Sequence, residues 1–177
     1  MDLALPTCGV LSRLGVIFWD VSHALVGTHA ANVWVEPRYT PTIEVILPAD
    51  RALFDKITSR LSAVGLTRKE AHGPDHALVP DIWRFASDDG VTVVDLLAAK
   101  TELQQEVIRR AQALPSGLNV ATPEDIFTLG LLMNRDRDAS DLVELAAVPN
   151  LDWSYIERWA TVWRVGDRVA AYRGISR

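Results

Sequence analysis

The sequence contains one cysteine, Cys8, and no long uninterrupted apolar run. A single cysteine allows neither an internal disulfide nor a cysteine metal cluster, which is typical of a cytoplasmic protein. No apolar run reaches the roughly 18 residues that a membrane-spanning helix needs. Asp2 lies where a signal peptide would carry basic residues. We therefore expect a cytoplasmic protein with no membrane partner.

Positive charge is also scarce. The 177 residues include 18 Lys and Arg against 23 Asp and Glu, which gives a net charge of -5. This balance argues against a protein that coats nucleic acid over a wide surface, although a local basic groove is compatible with it. The four histidines show no metal-ligand spacing. Arginines and tryptophans after residue 134 suggest either an RNA surface or, as the pattern favours, a tryptophan-packed helix with solvated arginines.

Apolar periodicity and turn residues predict an α/β fold, with a small mixed sheet, helices packed against it and a C-terminal helical bundle. An Asp-Gly turn at residues 87–90 predicts a hairpin between strands 82–86 and 91–97. Further strands are expected at residues 19–26, 42–47 and 66–72, and helices at 5–14, 28–34, 50–64 and 101–113.

Thr122-Pro123-Glu124-Asp125 marks a strong helix start, with a capping hydroxyl, proline in the first turn and acids at the positive dipole end. Helices are then predicted at residues 123–133, 138–147, 152–164 and 166–173. The chain thus divides into an α/β core at residues 1–121 and a helical part at residues 122–177.

A glycine turn follows the first strand. Gly27 and Thr28 connect it to a short helix, where free backbone N–H groups and the threonine hydroxyl are suited to phosphate. The motif alone is weak, because an ordinary tight turn has the same sequence.

Acidic side chains interrupt two apolar strands. Glu44 lies between Ile43 and Val45, and Asp95 lies inside the strand at residues 91–97. A buried, unpaired acid costs several kcal/mol. These acids are therefore expected to be solvated, paired with basic residues, or bound to a metal ion. Thr42 lies two residues before Glu44 and so shares its face of the strand.

The order of these motifs resembles the nucleotidyltransferase-fold superfamily, in particular small bacterial abortive-infection (AbiE-type) toxins and minimal nucleotidyltransferases. The family pattern is a strand ending in a glycine turn, a helix, an Arg-x-Thr approach, Asp-x-Asp on the next strand and a third Asp on a later strand. The similar segments are residues 24–30, 37–40, 42–44 and 94–96, and then 122–126, 135–142 and 151–156.

The resemblance implies a reaction and a set of roles. A nucleoside monophosphate would pass from an NTP to an RNA or protein acceptor with Mg²⁺. Gly27, Thr28 and Thr42 would contact the nucleotide and its phosphates, and Arg38 would neutralise phosphate charge. Glu44 and Asp95 would bind the metal ion and serve catalysis. A toxin–antitoxin or phage-defence context, with a cognate antitoxin, is implied as well.

The sequence departs from the family pattern at the positions expected to bind metal and triphosphate. Thr42 replaces the first metal-binding Asp, Glu44 is one methylene longer than the second, and Gly130 stands where relatives often carry a lysine. Magnesium demands near-ideal octahedral geometry, so these changes predict weakened or lost catalysis. The alternative is a non-catalytic nucleotide-binding or protein-interaction module on the same fold.

Overall fold

The computed structural model describes residues 6–69 and 81–174. Its strands are β1 (Ala24–Val26), β2 (Thr42–Pro48), β3 (Thr67–Lys69), β4 (Ile82–Ala86), β5 (Val93–Ala99), β6 (Gln112–Ala113) and β7 (Asn119–Val120). They form one seven-stranded mixed sheet in the order β3-β4-β5-β2-β1-β7-β6. The α/β class and the small mixed sheet expected from the sequence are confirmed.

The helices cover both faces of the sheet. They are α1 (Pro6–Phe18), α2 (Gly27–Ala31), α3 (Arg51–Ala63), α4 (Glu102–Arg110), α5 (Pro123–Met133), α6 (Ala139–Ala146), α7 (Trp153–Val162) and α8 (Gly166–Ala170), with a 3₁₀ turn at Asp136–Asp138. Phe54 of α3 packs on Trp83 of β4 at a ring-centroid distance of 4.8 Å. Helix α5 lies on the opposite face, which also carries the acidic side chains of β2 and β5.

The strongest start signals lie where expected. Asp50 caps α3 by accepting from the Leu53 N–H, and Thr122 caps α5 by accepting from the Asp125 N–H. Thr101 and Gln104 form a reciprocal capping box at the start of α4. These local hydrogen bonds satisfy N–H groups that a helix leaves unpaired, so they depend little on the rest of the fold.

Several boundaries differ from the sequence expectation. The strand expected at residues 19–26 is only β1, because the chain turns after α1 and Asp20 pairs there with Lys56 and Arg60 of α3. Helix α4 ends at Arg110, three residues early, because the backbone at Ala111 becomes extended and residues 112–113 pair with β7.

The third predicted strand is present only as β3, and its continuation beyond Lys69 falls outside the described residues. The four C-terminal helices begin and end within a few residues of their predicted positions. The division into two parts at residue 121 stays a prediction. No helix within residues 6–69 and 81–174 has the length and apolarity to cross a bilayer.

Candidate functional site

One rung of the sheet carries the predicted acidic pair. Glu44 of β2 is the parallel partner of Asp95 of β5, so their side chains project side by side from the same face. On the outer flanks of this rung, Val26 of β1 pairs with Glu44, and Arg84 of β4 pairs with Asp95. The structure therefore brings the glycine turn after Val26 and both acids together at one point.

Asp95 is held by an arginine. Its side chain is nearly buried, and its two carboxylate oxygens accept from Nε and Nη2 of Arg84 at 2.8 and 2.7 Å. These bonds raise the pKa of Arg84, and the charge of Glu44 adds to the effect. A bidentate fork of this kind is among the strongest side-chain interactions in proteins. Of the three environments expected for this acid, the structure shows the second: Asp95 is paired with a basic residue.

Glu44 lies against the glycine turn. Gly27 has a φ of +66°, and a Cβ placed there would come within 1.8 Å of Glu44 Oε2. On its other side, Glu44 Oε1 is 3.9 Å from Nη1 of Arg135, whose Nε donates to Asp138 at 2.6 Å. The Glu44 carboxylate thus fills space directly over the turn that was predicted to receive phosphate.

Arg38 is bound to the helical part. Its Nε and Nη2 donate to the two oxygens of Asp141 on α6 at 2.6 and 2.8 Å, and Nη2 also donates to the Thr28 hydroxyl at 2.9 Å. The bonds to Asp141 raise the pKa of Arg38. Arg38 therefore lies at the predicted phosphate position, but in this state its charge is balanced by Asp141.

A polar cavity of about 280 Å³ opens above these groups. It is lined by five of the six predicted site residues, whereas Gly27 lines an adjoining cavity. Its other charged members are Arg84, Arg135 and Asp138. Thr42 accordingly shares the site with Glu44, as the strand alternation predicted. The cavity walls are formed by Thr28, Arg38, Tyr39, Thr40, Pro41, Thr42, Glu44, Arg84, Asp95, Arg135 and Asp138.

A second cavity of about 110 Å³ adjoins the first, and both are lined by Thr28, Glu44, Arg135 and Asp138. The rest of its wall is mostly aliphatic. Gly130 lies on this wall, and a Cβ there would meet the Leu142 side chain at 2.8 Å. Leu142 therefore occupies the space that a longer side chain at position 130 would need.

The donor set does not fit a magnesium ion. Thr42 is neutral, both oxygens of Asp95 are bound to Arg84, and Glu44 is packed between Gly27 and Arg135. Within residues 6–69 and 81–174, no group of three or more His, Cys, Asp or Glu is arranged to hold a metal ion. A divalent cation at Asp95 would also lie beside the Arg84 guanidinium, which is electrostatically unfavourable.

The sequence did not identify Arg84 as a site residue, and it marked Arg135 and Asp141 only as part of the similar segment 135–142, with no role in the site. One signal was present: Arg84 interrupts the apolar run Ile82-Trp83-Arg84-Phe85-Ala86 just as Asp95 interrupts its own strand. Opposite charges on the same face of two strands that a hairpin joins favour a cross-strand pair, although the direct pairing also requires the observed register.

Comparison with known proteins shows which fold the chain has. No protein-family model matches the sequence, and no curated protein matches it. Solved structures do match. A candidate nucleotidyltransferase from H. pylori has 14% identity and a TM-score of 0.55, with 97% of this chain and 83% of that chain covered. JHP933 from Helicobacter pylori has 17% identity and a TM-score of 0.52 over 97% and 84%.

A further structure, ANT(2″)-Ia in complex with adenylyl-2″-tobramycin, has 16% identity and a TM-score of 0.52 over 95% of this chain and 96% of that one. The chain has the nucleotidyltransferase fold. At this level of identity the likeness establishes the architecture, and the chemistry of this chain has to be argued from its own residues.

Proposed function

We propose that this chain binds a nucleoside triphosphate at the polar cavity and that nucleotidyl transfer there is weakened or lost. The fold supports a nucleotide site, since the glycine turn, Arg38 and the acid rung of β2 and β5 border one cavity. Weakened or lost transfer is supported by the bidentate bond of Arg84 to Asp95. This bond engages both oxygens of the acid that best matches the family's metal-binding pattern.

Charge stabilisation by metal ions supplies several kcal/mol in phosphoryl-type transfer. Mg²⁺, which the family resemblance implies, would have to compete with Arg84 for Asp95 and would find a hydroxyl at Thr42. We therefore assign no catalytic step to a metal ion in this chain. Gly27, Thr28 and Arg38 are proposed to contact the phosphates. This requires Arg38 to exchange part of its bonding to Asp141 and the Glu44 carboxylate to move off the turn.

The acceptor follows from the resemblance alone. An RNA end or a protein hydroxyl would be the acceptor of any residual transfer, and a cognate antitoxin would be a protein partner in a toxin–antitoxin or phage-defence setting. The AbiE-type assignment and the cytoplasmic location stay predictions.

Two measurements test this function. Melting temperature is recorded with ATP, GTP, CTP and UTP, and transfer of labelled NMP is recorded for the wild type and Asp95→Ala. We expect at least one nucleotide to raise the melting temperature, because a ligand that binds only the native state stabilises it. We expect labelling by the wild type to be no greater than labelling by Asp95→Ala.

Asp88→Ala, which removes an exposed acid from the turn of the same hairpin, is the matched control. Rapid labelling by the wild type and Asp88→Ala, but not by Asp95→Ala, would establish an active transferase and contradict the proposed loss. If no nucleotide changes the melting temperature, the nucleotide site is refuted and the protein-interaction alternative is favoured.

A further inference from the structure

The site balances its acids with arginines. Three guanidinium groups, on Arg38, Arg84 and Arg135, line the cavity beside Glu44, Asp95 and Asp138. Each arginine makes at least one bond shorter than 3 Å to a carboxylate of this region, from Arg38 to Asp141, Arg84 to Asp95 and Arg135 to Asp138. The carboxylates of this region are therefore balanced by arginine side chains of the chain itself, whereas in a metal-dependent site a bound cation would balance them.

We infer that Arg84 and Arg135 substitute for the divalent cation, so that the cavity binds the phosphates of a nucleotide without magnesium. This inference rests on the proposed nucleotide site and specifies its electrostatics. Arg84 is placed for this role by the register of β4 and β5, which sets it directly opposite Asp95. Its side chain is 47% exposed, so it can contact a ligand in the cavity while bound to Asp95.

The geometry of the fork is the reason to expect that an ion would not displace Arg84. Guanidinium nitrogens Nε and Nη2 match the two carboxylate oxygens in one plane, and the acid is 3% exposed. Breaking the pair would leave an arginine beside the incoming cation without its anionic partner. Only Asp95 is buried, so the barrier to displacement lies in taking the nearly buried carboxylate away from its bidentate partner while a second cation approaches the guanidinium.

Glu44 is neutralised in a related way. Its carboxylate has Gly27 on one side and Arg135 on the other, with Nη1 at 3.9 Å. Arg135 in turn is oriented by its 2.6 Å bond to Asp138. A phosphate entering above the turn would therefore meet the Arg135 guanidinium next to Glu44, which offsets the repulsion between two anions.

The first test measures metal binding directly. The full-length chain is titrated with Mn²⁺, and the free ion is followed by electron paramagnetic resonance, for the wild type, Arg84→Gln and Asp95→Asn. The wild type should bind no stoichiometric Mn²⁺ at the site. Arg84→Gln should bind at least about tenfold more tightly, because Asp95 is then available as an anionic ligand.

The second test compares ATP affinity in EDTA and in magnesium chloride. The wild type should bind ATP at least as tightly in EDTA, and Arg84→Gln should lose roughly tenfold in EDTA, the loss expected for a charge-assisted contact. Arg84→Lys, which keeps the charge, should fold and still exclude Mn²⁺. Circular dichroism checks the fold of each variant.

Arg68→Gln is the matched control for both tests. Arg68 lies on β3 with its guanidinium 4.2 Å from the Trp83 ring, on the face of the sheet opposite Arg84, so its loss removes the same charge away from the cavity. It should behave as the wild type in both measurements.

Stoichiometric Mn²⁺ binding by the wild type that Asp95→Asn abolishes would overturn the inference, as would ATP binding that requires magnesium. If no nucleotide binds under either condition, the proposed function fails, while the Mn²⁺ titration of the wild type and Arg84→Gln still decides whether Arg84 has replaced the ion.

Discussion

Arg38, on the loop before β2, forms two hydrogen bonds of 2.6 and 2.8 Å to Asp141 on α6. This pair joins the sheet to the C-terminal helices, and the Thr28 hydroxyl completes the junction at 2.9 Å from Arg38. Any ligand phosphate that engages Arg38 must weaken this connection. Nucleotide binding and the packing of α6 on the core are therefore expected to be coupled.

The first prediction follows from that pair. Asp141→Ala should lower the free energy of unfolding by about 1–3 kcal/mol, the range for charged hydrogen bonds whose partner is left unpaired. Denaturant unfolding measures the change. Asp55→Ala is the control, since Asp55 also pairs with an arginine, accepting from Nε of Arg51 with both oxygens, but both side chains are more than half exposed. Such exposed pairs contribute little, so a similar loss in both variants would contradict the structural role of Asp141.

The sequence was sufficient for elements whose signals are local. The caps at Asp50, Thr101 and Thr122 each depend on a side chain three residues or fewer from its partner, and the helices they begin were predicted from those residues. The opposite holds for residues 19–23, where an apolar pattern suggested a strand. There the pairing of Asp20 with α3, which is distant in sequence, helps to hold a turn.

The register of the hairpin at the site was likewise not predictable from the sequence. A hairpin closed between Ala86 and Val91 would set Arg84 opposite Val93, whereas the observed turn is two residues longer and pairs Ala86 with Val93. That difference puts Arg84 directly opposite Asp95, where the two side chains form an ion pair. Turn length, which sequence patterns define poorly, thus determined which basic residue faces Asp95 across the hairpin.

A second prediction concerns repair of the site. Thr42→Asp combined with Glu44→Asp restores the family's acids, yet Arg84 still occupies Asp95. We expect the double variant to bind Mn²⁺ weakly, and addition of Arg84→Gln to tighten binding by roughly tenfold or more, because a third carboxylate then joins the ion. Equal affinity of the double and triple variants would show that Arg84 does not block the metal position.

A third prediction concerns pH. His23 is 1% exposed, its Nδ1 donates to the Val21 carbonyl, and its Nε2 accepts from the Asn119 N–H. Burial lowers its pKa below 6.5, so the unfolded chain takes up a proton before the folded chain does. Stability should therefore fall as pH decreases through about 6.5, by at most about 1.4 kcal/mol per pH unit for one such group.

Urea unfolding across this pH range measures the slope, and His23→Gln should reduce it. His29 contributes in the same direction, because burial lowers its pKa too, whereas burial raises the pKa of Asp125 and gives the opposite sign. The comparison between His23→Gln and the wild type isolates His23. An unchanged slope would show that His23 does not control the pH dependence.

A fourth prediction concerns the glycine turn. Gly27→Ala should destabilise the fold for two reasons: φ is +66°, and the new methyl group would collide with Glu44 Oε2. The backbone conformation alone costs an L-residue about 1–2 kcal/mol, and the collision should add roughly 1–3 kcal/mol. The melting temperature and denaturant midpoint of the variant measure the sum.

Gly65 separates the two contributions. It has a φ of +84°, but a Cβ there would meet nothing within 4 Å, so Gly65→Ala carries the backbone cost alone. The excess destabilisation of Gly27→Ala should fall when Glu44→Ala is added, because the colliding carboxylate is then gone. If Gly27→Ala and Gly65→Ala were equally destabilising, Glu44 would not lie over the turn in solution. The turn would then be open to phosphate without any movement of that acid, and the balancing role assigned to Arg135 would lose its basis.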